Sequence, residues 1–314
     1  MDPRTLILVG GVLLVLATAT TVGQFLKRQR DLGINPALVQ QFNSRIRAWW
    51  LMCSMLAAAF LLGPASRVAT IIVFALISFW ALREFVTLTP TRLGDHRALF
   101  WVFFLFTPLQ YYLISADLKD LYTVLIPVYG FLFIPARIAL AGDYKRFLER
   151  VAKIQAGLMV CVYCLSHAPA ILYLNPDRPA GFENARLLFF FVLIAQLNDV
   201  LQYAWGKLLG KRPIAPAINP SRTWEGFIGG LLSSGLLGMA LYWATPFNPI
   251  EAAAVAMVIA VMGFAGGITM SAIKRDRGVR DYGTLVTGHG GVLDRIDSIC
   301  FAAPVFFHLT RLLI

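Results

Sequence analysis

S-A-I-K-R-D-R-G-V-R-D-Y-G-T-L-V-T-G-H-G-G-V-L-D-R-I-D-S, residues 271–298, sets nine charged side chains between two long apolar runs. Hydrocarbon cannot solvate such a segment, so it must lie at a wetted surface while the runs beside it enter a bilayer. The rest of the 314-residue chain avoids charge. Only 14% of residues are charged, against about 25% in an ordinary soluble domain, and the mean hydropathy is +0.68. The sequence therefore reads as all-α, a polytopic integral membrane helical bundle with no soluble domain.

Apolar segments long enough to cross about 30 Å of hydrocarbon fall near 5–25, 48–63, 68–86, 98–115, 121–141, 151–174, 185–209, 227–245, 251–273 and 296–313. About ten transmembrane helices are expected, the second being short for a span. With the N-terminus outside, 22 Lys and Arg residues fall at inner ends and loops and 6 at outer ones, the asymmetry that membranes impose. Both termini are thus expected outside and the 271–298 loop inside, in a bacterial inner (cytoplasmic) membrane. The run up to Gln24 is read as an uncleaved span, because cleavage would leave Lys27-Arg28-Gln29-Arg30 at the mature end. Asn35-Pro36 signals a helix start, and Leu38, Phe42 and Ile46 recur at helical spacing, so an in-plane helix is expected near 36–47. The net charge of +11 is dispersed among loops, which suits anionic headgroups and not nucleic acid. Two regions follow: hydrophobic spans over 1–180 and a chemistry-bearing region over 181–314. Cys161-x-x-Cys164 with His167 has the outline of a metal site, but inside an apolar run it is read as small side chains on a helix.

The polar loop's residue types suit phosphoryl or nucleotidyl transfer. Asp294 and Asp297 are three apart and share a helix face. With Asp281 they offer hard oxygen ligands for Mg²⁺, as one ion or two. Gly288, Gly290 and Gly291 flank His289, where backbone N–H groups can approach an anion. Lys274, Arg275, Arg280 and Arg295 can neutralise phosphate. Two stretches add to them. Asn198-Asp199 lies toward the inner end of an apolar helix, with Gln202 and Tyr203 on the same face, and a carboxylate at that depth is a functional candidate. In Asn219-Pro220-Ser221-Arg222-Thr223-Trp224-Glu225-Gly226, the hydroxyls of Ser221 and Thr223 with Arg222 could grip phosphate. Glu225 could orient Arg222, or the whole segment could simply cap the next helix.

The run S-x-x-K-R-x4-R-D-x-G-x5-H-G-G-x2-D-R-x-D resembles the signature of phosphatidate cytidylyltransferases, also called CDP-diacylglycerol synthases. Ser271, Lys274, Arg275, Asp281, His289, Gly290, Gly291, Asp294, Arg295 and Asp297 stand at its positions. Residues 219–226 are similar to the family's S-P-x-K-T-x-E-G segment, with Asn219 for Ser and Arg222 for Lys. Arg280 replaces the usual Lys, keeping charge but changing its geometry, and Thr287 replaces the usual Pro. The resemblance covers about 195–314. It implies transfer of the cytidylyl group of CTP to phosphatidate, with Asp199, Asp281, Asp294, Lys274 and His289 catalytic. Metal would fall to Asp199, Asp281, Asp294 and Asp297. Substrates would fall to Asn198, Ser221, Arg222, Thr223, Glu225, Ser271, Arg275, Arg280, Gly290, Gly291 and Arg295. Expected partners are CTP, phosphatidate and membrane lipids, with a homodimer left open. Two other classes stay in view: a transporter using Asp199 as an ion-coupling residue, and a paralogue with another lipid or nucleotide. A CDP-alcohol phosphotransferase would need a D-G-x-x-A-R arrangement, which this chain lacks.

Overall fold

A computed structural model of the protein describes residues 66–89, 91–174, 182–279, 281–283 and 290–314, with isolated helical positions between 10 and 24. The first two expected spans and the in-plane helix near 36–47 otherwise lie outside the described residues. The chain divides into two compact units, Met1–Thr70 and Ile71–Ile314. The second contains helices from both sides of residue 180.

Among the described residues from 66 onward, eight long helical segments follow one another. They are α1 (Ser66–Leu88), α2 (Leu93–Ser115), α3 (Lys119–Ala139), α4 (Phe147–Tyr173), α5 (Phe182–Leu209), α6 (Trp224–Ala240), α7 (Pro249–Asp276) and α8 (Leu293–Leu313). Among the described residues, seven are long and apolar enough to cross a membrane; α6, with 17 residues, is the exception. Each matches one of the apolar segments read from sequence. Between α5 and α6 the all-α expectation needs a small amendment: β1 (Pro213–Ala215) and β2 (Asn219–Thr223) pair antiparallel as a hairpin. These strands are too short and too polar to show an alternating apolar pattern.

Local chemistry sets the boundaries. Asn248 Oδ1 accepts from the N–H groups of Ile250 and Glu251 at 3.0 and 2.9 Å, and Glu251 returns a bond to Asn248 N–H. Pro249 at the first turn completes a capping box for α7. Thr223 Oγ1 accepts from Gly226 N–H and starts α6 directly off β2. Wide turns interrupt α2, α3 and α4 at Val102–Phe106, Leu125–Gly130 and Met159–Cys164.

α5, α6, α7 and α8 pack in sequence along seams of small residues. A Cβ on Gly226 would stand 2.7 Å from Gln202 O, one on Gly238 2.6 Å from Ala252 O, and one on Gly266 2.5 Å from Asp297 O. Such approaches let backbones touch where lipid gives no hydrophobic drive to associate. Phe190, Phe191, Phe306 and Phe307 fill the core, with Phe191 stacked on Phe306 at 4.9 Å. Phe100, Phe104, Leu132, Leu232 and Leu236 are exposed, an apolar surface that a water-soluble monomer would not carry.

One end of the bundle gathers the polar connections. Arg150 clamps Asp95 through two bonds to Oδ1 at 2.9 and 2.7 Å, and Arg92 Nε donates to Asp143 at 2.6 Å. That bond holds the Asp143 carboxyl below the usual carboxylate range. The opposite end has a cavity of about 460 Å³ lined by Asp117, Lys119, Asp120 and Arg311. Cys161 and Cys164 are free thiols, and His167 Nδ1 donates to Tyr163 O at 2.8 Å.

Candidate active site

At the polar end, two cation–carboxylate pairs from four elements come together. Arg222, on β2, donates from Nη2 to Asp199 Oδ1 of α5 at 2.9 Å and from Nη1 to Gln202 Oε1 at 2.7 Å. Lys274, in the last turn of α7, donates from Nζ to Asp294 Oδ1 of α8 at 2.7 Å. Asp297 lies one turn beyond Asp294, and a Cβ on Gly267 would stand 3.2 Å from Arg222 Nη2 and 4.0 Å from Asp297 Oδ2. Asp297 Oδ1 accepts from Ser298 N–H. The first pair is the more open: the Asp199 side chain is 28% exposed and that of Asp294 10%.

Asp294 also organises backbone. Its Oδ2 accepts from Tyr282 N–H at 2.8 Å and from Gly291 N–H at 2.9 Å. Gly290 is left-handed at φ +79°, and a Cβ there would lie 2.9 Å from Asp294 Oδ2 and 3.4 Å from Asp281 Oδ1. Glycine is therefore required by both conformation and space. The carboxylates of Asp281 and Asp294 thus both face the space that this Cβ would take. Tyr282 donates its hydroxyl to Met270 O at 3.0 Å. Burial, reinforced by the Asp294 charge, pushes its phenol well above the ordinary value, which keeps it a donor.

The hairpin is tied in from three directions. Arg275 Nε donates to Ile218 O at 3.1 Å, Asn219 Nδ2 to Ser271 Oγ at 3.3 Å, and Ser271 Oγ to Gly267 O at 2.7 Å. Glu225 Oε2 accepts from the N–H groups of Lys211 and Arg212, at 3.1 and 3.2 Å. Backbone donors, its own N–H first, hold its carboxyl below the usual range. Ser221 Oγ bonds Asn219 Oδ1 at 2.7 Å, and Thr223 caps α6. Asn198 is fully enclosed. Its Oδ1 accepts from Gln202 and Ser234 and its Nδ2 donates to Ala260 O, joining α5 to α6 and α7. Arg295 opens α8, where its carbonyl accepts from Gln196 Nε2 at 2.9 Å. Arg280 and His289 lie outside the described residues.

Sequence reasoning passed over Glu84 of α1. Its carboxylate accepts from the N–H groups of Val292 and Leu293, both at 2.9 Å, and is 5% exposed. The signal was present: Glu84 is the single acid of an apolar helix, the criterion that singled out Asp199.

Magnesium asks for one or two carboxylates and completes its shell with water and phosphate oxygens. Asp199, paired with Arg222, and Asp297, which faces Gly267 as Arg222 does, fit that demand in chemistry. Among the described residues no three acidic, histidine or cysteine side chains form a closed cage.

Convergent carboxylates, paired cations and a glycine-lined backbone at one end of an apolar bundle describe a membrane-embedded transferase for phosphorylated substrates. The family model described as the cytidylyltransferase family matches residues 43–313, and the chain belongs to that family. It is 40% identical over 273 residues to the uncharacterised protein YnbB of Escherichia coli (strain K12), covering 85% of this chain and 86% of that one. It is 37% identical over 125 residues to a phosphatidate cytidylyltransferase of Staphylococcus aureus (strain COL), covering 39% and 48%. With the phosphatidate cytidylyltransferase of Staphylococcus epidermidis (strain ATCC 35984) it shares 34% over 161 residues, covering 49% and 61%. The chain thus spans about half to three-fifths of the staphylococcal relatives' length.

Proposed function

We propose that the chain transfers the cytidylyl group of CTP to phosphatidate, giving CDP-diacylglycerol and pyrophosphate at the cytoplasmic face. The observation that carries this reading is the meeting of the Arg222–Asp199 and Lys274–Asp294 pairs, with Arg222 and Asp297 both facing Gly267, which draws charged groups of α5, β2, α7 and α8 into one site. A phosphate monoester is already an anionic nucleophile near neutral pH, so the reaction needs no strong general base. An oxygen of the lipid phosphate forms a bond to the α-phosphorus of CTP, and the bond from that phosphorus to the bridging oxygen of the β-phosphate breaks. The main demand is to bring two polyanions together and steady the departing pyrophosphate.

In this reading Arg222 and Lys274 exchange their carboxylate partners for phosphate oxygens, and Arg275 and Arg295 serve the nucleotide's outer phosphates. Ser221 and Thr223 lend hydroxyls from the hairpin. Asp199 and Asp297 would hold Mg²⁺, with Asp281 and Asp294 available to a second ion. Bound there, the metal would supply charge neutralisation on the transferring and leaving phosphates. His289, Gly290 and Gly291 would cradle the nucleotide. A bundle end close to the headgroup layer lets the lipid tails stay in the bilayer.

The test is purified protein in detergent with phosphatidate, CTP and Mg²⁺, following pyrophosphate. Turnover lost in a folded Asp294→Ala variant supports the reading; no turnover by the wild-type protein sinks it. A second reading, cytidylyl transfer to another phosphorylated lipid, draws on the nearly full-length likeness to YnbB beside the partial likeness to phosphatidate enzymes. The same assay with other lipid phosphomonoesters separates the two.

A further inference from the structure

The polar loop leaves α7 at Asp276 and re-enters the bundle with α8 at Leu293. Both of its described sides meet one side chain from α1, about two hundred positions earlier. Glu84 Oε1 accepts from Val292 N–H and Oε2 from Leu293 N–H. A Cβ on Gly291 would stand 2.3 Å from Oε2, and one on Gly283 2.7 Å from Oε1, so the carboxylate fits only because both residues lack a side chain. The next residue, Phe85, stacks on Tyr282 with centroids 6.5 Å apart and 15° between planes.

The peptides next to these are the ones that hold Asp294. Tyr282 N–H, beside Gly283, and Gly291 N–H both donate to Asp294 Oδ2, leaving Oδ1 for Lys274. The contacts run from Glu84 to the loop backbone, from there to the Asp294 carboxylate, and on to the lysine. Burying a carboxylate is costly, and two backbone donors offset the cost without making an apolar helix more stable than it would be with leucine. A local cap for α8 would need no residue from α1.

We propose that Glu84 is a positioning residue for the reaction, setting the Asp294–Lys274 pair through the backbone at Gly283 and Gly291. This rests on the role given to Asp294 above. Glu84→Gln keeps the volume but turns an amide N–H₂ toward a backbone N–H. A displacement of about 1 Å at a reacting centre costs on the order of a hundredfold, so kcat should fall about 10- to 100-fold while KM for phosphatidate stays nearly constant. In an Asp294→Asn background the same substitution should cost nothing further, since the two act in one chain of contacts.

Amide exchange followed by mass spectrometry judges the proposal without turnover. Protection should fall at Tyr282–Gly283, which Glu84 does not hydrogen-bond, as well as at Val292–Leu293. Loss confined to Val292 and Leu293, additive losses with Asp294→Asn, or an unchanged kcat in the folded variant overturns it. If Glu84→Gln does not fold, Gly291→Ala displaces the carboxylate from the loop side and must produce the same two effects; unchanged values there overturn it equally. Wild-type protein that transfers no cytidylyl group to phosphatidate would instead sink the assigned reaction, with the exchange result still deciding the role of Glu84.

Discussion

Asp294 and Arg222 each do two things with one side chain, and the variants that separate those tasks are informative. Asp294 takes Lys274 on one oxygen and two backbone N–H groups on the other. Asp294→Asn removes the charge and keeps a single carbonyl oxygen. Pyrophosphate release should drop at least about a hundredfold, and thermal unfolding should report a loss of about 2 kcal/mol, the worth of hydrogen bonds to a charged group. Arg222 spans Gln202 and Asp199. Arg222→Ala leaves Asp199 and Asp297 as neighbouring like charges, so both stability and kcat should fall. Arg222→Lys restores one contact of the two and should recover part of each, since an ammonium lacks the guanidinium fork. Asp199, Asp294 and Lys274 were legible in the sequence because charge beside apolar runs is conspicuous. Their pairing was not, because nothing in spacing links positions 199 and 222, or 274 and 294.

The helices themselves were the most legible layer, since apolar length alone marks a span and capping residues mark where α6 and α7 begin. The hairpin was opaque, because strands of three and five residues with two prolines carry no period. Two predictions belong to the seams. Gly230 packs against α5 so tightly that a Cβ would reach within 2.3 Å of Gln202 Cγ. Gly230→Ala should therefore destabilise by about 1–3 kcal/mol, read as a lower midpoint of thermal aggregation in detergent. Asn198 joins three helices with three bonds, and buried polar contacts between membrane helices average about 0.6 kcal/mol each. Asn198→Leu should lower the melting temperature and leave KM for both substrates unchanged; a KM shift at constant stability would assign the amide to substrate instead.

For the whole molecule, the alternation of basic loops gives a sidedness that labelling can check. Tyr144 and Ile250 are both well exposed, at 83% and 76%, in connections expected on opposite sides. In a background with the native cysteines replaced, Tyr144→Cys should resist a membrane-impermeant maleimide in intact cells, while Ile250→Cys should react. What sequence could not supply at this scale was the tie from α1 to the start of α8, because contacts made across two hundred positions leave no local pattern.

Both central cations are already spoken for in this structure. The long-range pull on a nucleotide polyanion is thus left to Lys207, Lys211, Arg212 and Arg275, exposed around the hairpin. Their field fades over about 10 Å at 0.1 M ionic strength and over about 3 Å at 1 M. Added potassium chloride should accordingly slow capture of CTP and raise its KM steeply, with kcat barely moved.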